Sequence, residues 1–365
     1  MKITEVINVL ENLAPPVLQE DYDNAGLLTG DINWNCTGIL CTLDVTEEIV
    51  AEAISNSCNL IVAHHPVIFK GLKKITGKNY VEKTIIKAIK NDVAIYAIHT
   101  NLDNIIEGVN GKIADKLNLI NRQILLPKQN MLMKLYTFVP LEFAEKIRTA
   151  IFNSGAGCIG NYSECSFNAE GKGTFKAGEN TNPFVGEKNI RHTENEIKIE
   201  AIFPSYAKNN IIDALIKAHP YEEVAYDVVV LSNNYQKTGS GLTGELPNEI
   251  SEKELLSILK KEFGITVIRH TALLQKPVKK IAVCGGAGSF LINKALAAKA
   301  DFYITADVKY HEFFDANGQM VIADIGHWES EQFTIELLHE VLHAKFPNFA
   351  VLKTKIRTNS VHYFV

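Results

Sequence analysis

Short apolar runs alternate with amphipathic helical patterns over residues 37–119 and again over 280–343, and nothing else restricts the fold as strongly. Gly38–Leu43, Leu60–Ala63 and Val93–Ile98 are strand-like, with helical periodicity between them. Lys280–Cys284, Phe302–Thr305 and Met320–Asp324 repeat the arrangement. Strands separated by helices predict a mainly parallel sheet covered by helices, because parallel neighbours need a long crossover. Near residue 128 the order changes. Met131–Val139, Tyr162–Ala169, Glu196–Phe203 and Val224–Leu231 read as strands, with helices over Glu142–Asn153 and Ala207–Ala218. That β-α-β-β-α-β order is that of a ferredoxin-like unit. Asn233–Gly241 is polar and reads as an exit linker.

The predicted architecture is α/β: a two-lobed, mixed/parallel-sheet body formed from both chain ends, residues 1–127 and 234–365, with an inserted ferredoxin-like α+β domain at 128–233. A chain of 365 residues is long enough for two or three cores. Inside the insert, Gly171–Gly186 is punctuated by glycines. It reads either as a loop lining a pocket or as an exposed hairpin extension.

Bulk properties remove several function classes. The net charge of -5 gives no electrostatic footprint for nucleic acid or an anionic membrane. No run approaches the ~18 apolar residues of a membrane span. The start, Met1-Lys-Ile-Thr-Glu-Val6, lacks an apolar signal core, so a cytoplasmic location is expected. Six cysteines are scattered and never form Cys-x-x-Cys, which disfavours disulfides and a zinc ribbon.

The chemistry concentrates where strands stop. Leu60–Ala63 runs into His64-His65-Pro66. Adjacent strand side chains point to opposite faces, so two histidines share a ligand only once the strand has ended. Pro66, which cannot donate to a sheet ladder, makes that ending plausible. Asp103 closes the next strand-to-loop junction, where a loop-capping aspartate is an equal reading. His327 and Glu331 are spaced i, i+4 and so share one helix face; taken alone they would be a surface pair. In a parallel sheet all these junctions gather on one edge. Three imidazoles and two carboxylates suit Zn²⁺, Mn²⁺, Fe²⁺ or Ni²⁺. Five ligands exceed the usual three of a single catalytic zinc and fit two ions with a bridging carboxylate. Such a pair acidifies a shared water. His99 and His311 are candidates for proton transfer or for orienting ligands, with Asp307 and Glu312 weaker ones. Gly285-Gly-Ala-Gly-Ser289 reads as a tight strand-to-helix turn, a phosphate cradle being the alternative.

Asp23-Asn-Ala-Gly-Leu27, His64-His-Pro66, His99-Thr-Asn-Leu-Asp103, Asp307-Val-Lys-Tyr-His-Glu312 and Gly326-His-Trp-Glu-Ser-Glu331 resemble, in order, the signatures of the Nif-three-like family. Its members include homologs of GTP cyclohydrolase I type 2. The resemblance implies a dinuclear metal site at His64, His65, Asp103, His327 and Glu331, holding two divalent ions, zinc first among them with iron, manganese and nickel as alternatives. It also implies a homo-oligomer in the form of a toroidal hexamer. The insert is similar to the PII/CutA-like domain of longer bacterial members. A water activator is present, but no Walker phosphate loop and no clear guanine reader. Two functions follow: a metal-dependent hydrolase acting on a nucleotide or related small molecule, or a non-catalytic metal-binding ring that senses or regulates through its PII-like insert.

Overall fold

A computed structural model describes residues 1–364. The chain divides into two compact units, Met1–Pro127 with Gln236–Val365, and Lys128–Tyr235. In chain order the strands are β1 Gly26–Thr29, β2 Ile39–Thr42, β3 Leu60–Ala63, β4 Ala94–Ala97 and β5 Ile120–Pro127. The insert holds β6 Leu132–Pro140, β7 Phe167–Lys176, β8 Arg191–Pro204 and β9 Tyr226–Leu231. The second segment of the body supplies β10 Gly239–Ser251, β11 Arg269–His270, β12 Pro277–Ala287, β13 Phe302–Ala306, β14 Val321–Asp324 and β15 Val351–Lys353.

The body is a mixed α/β fold with two sheets. The first runs β1-β4-β3-β2-β15, the second β11-β14-β13-β12-β10-β5. The first holds the parallel run β4-β3-β2-β15 with β1 antiparallel at its edge, and the second holds the parallel trio β12-β13-β14 flanked by antiparallel β10 and β11. Every residue of β2, β3, β4 and β14 is buried. Strands covered on both faces read as unbroken apolar runs, which is why the sequence marks them so clearly. The covering helices start where their caps dictate. Thr46 accepts from the Ile49 N–H at 3.4 Å to open Glu47–Ser55, and Asn79 accepts from the Glu82 N–H at 2.9 Å to open Tyr80–Lys90. Ile49, Val50, Ala53, Ile85 and Ala88 of these helices pack with Ile61 and Ile95 of the sheet. In the second half Ser251 caps Glu252–Glu262 through Oγ, 3.2 Å from the Glu254 nitrogen.

Three segments differ from their sequence reading. Asn233–Gly241 is not wholly a linker, because β10 begins at Gly239. The helical pattern after Gly326 is broken into His327–Glu331 and Thr334–Lys345. The insert strand expected at Tyr162–Ala169 lies at Phe167–Lys176, inside the glycine-punctuated stretch. Glycine weakens local strand preference, but ten consecutive pairings with β8 override it here.

The insert forms one antiparallel sheet, ordered β7-β8-β6-β9. Its helices, Ala144–Asn153 and Lys208–Ala218, bury Ile147, Ile151, Ile211 and Leu215 against Leu135, Val139, Ile199 and Phe203. The alternate residues Phe138, Glu196 and Lys198 therefore face the other side of the sheet. Among the described residues no helix is long and apolar enough to cross a membrane.

Candidate metal centre

The carboxyl ends of β2, β3, β4, β12, β13 and β14, six of the parallel strands, bear most of the polar groups that matter. Asp44 follows β2, His64 and His65 follow β3, and His99 and Asp103 follow β4. Gly286 lies next to the last residue of β12, Asp307 follows β13, and His327 and Glu331 follow β14. Ligand sites form at such ends because side chains there leave the ladder and point into the crevice. The expected five residues come from two sheets, not from one edge.

Local backbone explains how each side chain arrives. His64 and His65 still donate their N–H groups to Thr42 O (3.2 Å) and Leu43 O (2.9 Å), yet their rings lie 4.8 Å apart at 44°. They have left strand alternation and turn to the same side. His99 immediately precedes the one-turn helix Thr100–Asp103. Gly326, at φ +90, turns the chain into His327–Glu331 and sets those two side chains one turn apart.

The donor atoms converge. His64 Nε2 is 3.5 Å from Asp103 Oδ1 and 4.0 Å from Glu331 Oε1. Glu331 Oε2 is 2.9 Å from His65 Nε2 and 3.1 Å from His327 Nε2. Two groups could hold a metal ion, His64/His65/His99 and His65/His327/Glu331, with ligand atoms within 4.8 Å of one another in each. His65 belongs to both. Nε2 of His64, Nε2 of His65 and Oε2 of Glu331 are buried without a hydrogen-bond partner. The 2.9 Å approach of His65 to Glu331 thus lacks the alignment of a hydrogen bond. Unsatisfied buried polar atoms are costly, and cations held by these two groups would satisfy all three.

Every ring is fixed from behind. The Nδ1 atoms contact Ile98 O (His64, 2.9 Å), Asp44 Oδ1 (His65, 2.8 Å), Asp23 Oδ1 (His99, 2.7 Å) and Asp307 Oδ2 (His327, 2.6 Å). Such outer contacts select the tautomer that leaves Nε2 as the ligand atom. Asp23 is itself held by the Thr100 amide and hydroxyl. Although burial opposes it, the His99 and Thr100 hydrogen bonds keep its carboxyl down at about 2. Burial holds the His64 imidazole neutral, lowered to about 3. Burial and the Glu331 charge push Asp103 up to about 7. For His65 and His327 burial acts downward, but the Glu331 carboxylate prevails and raises both.

Not every sequence candidate joins the cluster. His311 is exposed on the 3-10 segment Tyr310–Ala316, and its ring contacts are with Tyr310 and Phe314. Glu312 caps that segment by accepting from the Lys309 N–H at 2.7 Å. Gly285-Gly-Ala287 is the end of β12 rather than a turn, Ser289 opens a 3-10 segment, and the Gly286 N–H donates to Ser330 Oγ at 2.9 Å. Asp44 and Asp23 were not singled out by the sequence reading. Asp44 could have been found, since it follows β2 as His64 follows β3.

Comparison with known proteins places these residues in context. The profile of the family described as Duf34/NIF3 (NGG1p interacting factor 3) matches residues 1–360. A Bacillus subtilis (strain 168) protein named GTP cyclohydrolase 1 type 2 homolog is 38% identical over 326 residues, 89% of this chain and 87% of its own length. The crystal structure of a Bacillus cereus protein related to NIF3 is 37% identical, with a TM-score of 0.88 over 100% of this chain and 99% of that one. A Staphylococcus aureus crystal structure is 28% identical, with a TM-score of 0.78 over the same shares.

Proposed function

Because this chain belongs to the Duf34/NIF3 family, we propose that it is a metal-dependent hydrolase acting on a nucleotide or related small molecule. In this reading His64, His65, Asp103, His327 and Glu331 hold two divalent ions, with zinc the first candidate. The observation that carries it is the set of three orphaned buried atoms, on His64, His65 and Glu331, spread over two candidate ligand groups that share His65. Ions bound there would acidify a water and withdraw charge from an attacked centre.

The chain's own residues do the rest. Asp44 and Asp307 hold His65 and His327 with Nε2 forward, and the Ile98 carbonyl does the same for His64. His99 keeps Nδ1 on Asp23, so its remaining nitrogen can take or deliver a proton beside the cluster. A cleft of about 480 Å³ borders the centre, lined among others by His65, His327, Arg269, Trp328 and Tyr363. Its lining sets the rings of Trp328 and Tyr363 beside Arg269, which pairs with Asp324, and the carboxylates of Asp44, Asp307 and Glu329; this suits a planar substrate whose anionic groups would be met by the bound ions. The relatives' name, GTP cyclohydrolase 1 type 2 homolog, fits this class of substrate.

The test is hydrolysis of a nucleotide panel by protein whose metal has been quantified. The His65→Ala variant should lose both metal and turnover. Turnover that survives complete metal removal would falsify the metal-dependent reading, whereas metal-loaded protein that turns over nothing in the panel would leave a non-catalytic, metal-binding ring with a sensing insert. We also read the insert as ferredoxin-like, the assembly as a toroidal hexamer and the location as cytoplasmic. Light scattering should give a particle of about six chains.

A further inference from the structure

The insert carries a second site, unrelated to the metal centre. A cavity of about 680 Å³, within the size range of small-molecule pockets, lies on the sheet face away from its helices. Its floor exists because β7 places small residues at alternate positions, Ala169, Gly171 and Gly173, opposite Lys198, Glu196 and Glu194 of β8. A β-carbon added at Gly171 would meet no atom within 4 Å. Tyr221 forms the wall, its ring 6.2 Å from Phe175 and 6.2 Å from Phe184. The loop bearing Phe184 is tied down where the Asn182 N–H donates to Glu222 Oε1 at 2.9 Å.

Glu170, Lys172, Lys176, Glu222 and Glu223 stand exposed around the cavity, while the buried charged group of the lining is Glu196, only 8% exposed. Its carboxylate lies over Gly173, where a β-carbon would stand 2.0 Å from Oε2. Oε1 accepts from the Tyr221 hydroxyl at 3.0 Å. Tyr221 is pre-set: its N–H donates to His219 Nδ1 at 3.1 Å, and His219 Nε2 contacts Phe138 O at 3.1 Å. Among the described residues no Lys or Arg pairs with Glu196, and none lies over Phe175, Phe184 or Tyr221. Lys198, which lines the cavity, spends its ammonium on Glu200 at 2.8 Å. A buried carboxylate without a counter-cation is expensive for the fold alone. Aromatic faces beside it favour a cation or a flat ring.

We propose that the insert binds a small planar ligand that presents a cationic or doubly N–H-donating edge to Glu196 and stacks among Phe175, Phe184 and Tyr221. Guanidinium compounds and the N1–H/2-amino edge of guanine share this chemistry. The inference uses only the insert, so its failure leaves the metal centre untouched, and the reverse holds too.

The test is titration calorimetry of the full-length protein with guanosine, agmatine and adenosine. Guanosine, agmatine or both should bind at least about tenfold more tightly than adenosine, which lacks the paired donors; which of the two binds identifies the source of the edge. Glu196→Gln should weaken binding by about 10- to 100-fold, the value of a charge-assisted hydrogen bond. Gly171→Leu should fill the floor and abolish binding with an unchanged melting temperature. The proposal is overturned if neither probe saturates below about 10 mM, or if either variant binds as the parent does. It also fails if Gly171→Leu changes the particle mass in light scattering, which would make this face a contact between copies of the chain.

Discussion

Gly286 lies directly beneath the carboxylate of Glu331: a β-carbon there would stand 2.3 Å from Oε1 and 3.3 Å from the His327 ring. The residue also has φ +61, which an L side chain rarely adopts. The glycine therefore leaves room for the carboxylate that both halves of the cluster share. Gly286→Ala should cost about 1–3 kcal/mol of stability through strain and displace Glu331. Its metal content, by elemental analysis after dialysis, should fall to a small fraction of the parent's. Full metal loading in the variant would show that Glu331 is not needed.

Asp44 touches no candidate ion but holds His65 Nδ1 at 2.8 Å, while Thr358 Oγ1 donates to its other oxygen at 2.6 Å. Asp44→Asn keeps an acceptor in place and removes the charge. Metal affinity should drop about 10- to 100-fold, the usual effect of losing a partner behind a ligating histidine. Competition with a chelator of known affinity measures it, and an unchanged constant would remove Asp44 from the account.

The centre should titrate as it fills. In the metal-free chain the raised pKa values of His65 and His327 mean that both rings hold protons at neutral pH, which an incoming ion must displace. Affinity should rise with pH across the neutral range, with proton release visible as a calorimetric heat that varies with the buffer. Stability of the metal-free chain follows the opposite sign. The contribution of a raised imidazole is complete below its ordinary 6.5 and is lost as pH rises through the folded values of about 10 and about 11. His64, lowered to about 3, contributes above 6.5 and loses that contribution as the pH falls through 3. Melting curves of chelator-treated protein against pH check both directions.

The insert has a core of its own, with Ile199 fully buried among Leu135, Ile147 and Leu215. Ile199→Ala should remove about 2–5 kcal/mol from that unit without lowering the metal content of the body. Scanning calorimetry paired with metal analysis separates the two effects. A parallel loss of metal would mean that the units do not fold independently.

The six parallel strands that bear the site were legible because strands buried on both faces leave continuous apolar runs, and polar residues that end such runs stand out. His64, His65, Asp103, His327 and Glu331 were singled out that way, and the structure sets the five side chains close to one another. Asp23 was not found, because an acidic residue in a turn is ordinary until chain folding sets it beside His99, 76 positions away. The β7 strand was displaced in the reading because Gly171 and Gly173 suppress strand preference, while the pairing that overrides it is with residues further along the chain. His311 carried the right chemistry for a proton carrier, but the 3-10 segment Tyr310–Ala316 presents it to solvent. Residue type announces capacity; only the backbone decides address.

The donors of the cluster come from widely separated stretches of the polypeptide, with the whole insert between Asp103 and His327. During translation His64, His65 and Asp103 leave the ribosome long before Glu331 is made. Under the proposed reading a nascent chain can offer only the His64, His65 and His99 group, and the group that needs His327 and Glu331 is completed much later in synthesis. Filling would then follow the order in which the ligands are made, with His65 the residue that the earlier group must share with the later one.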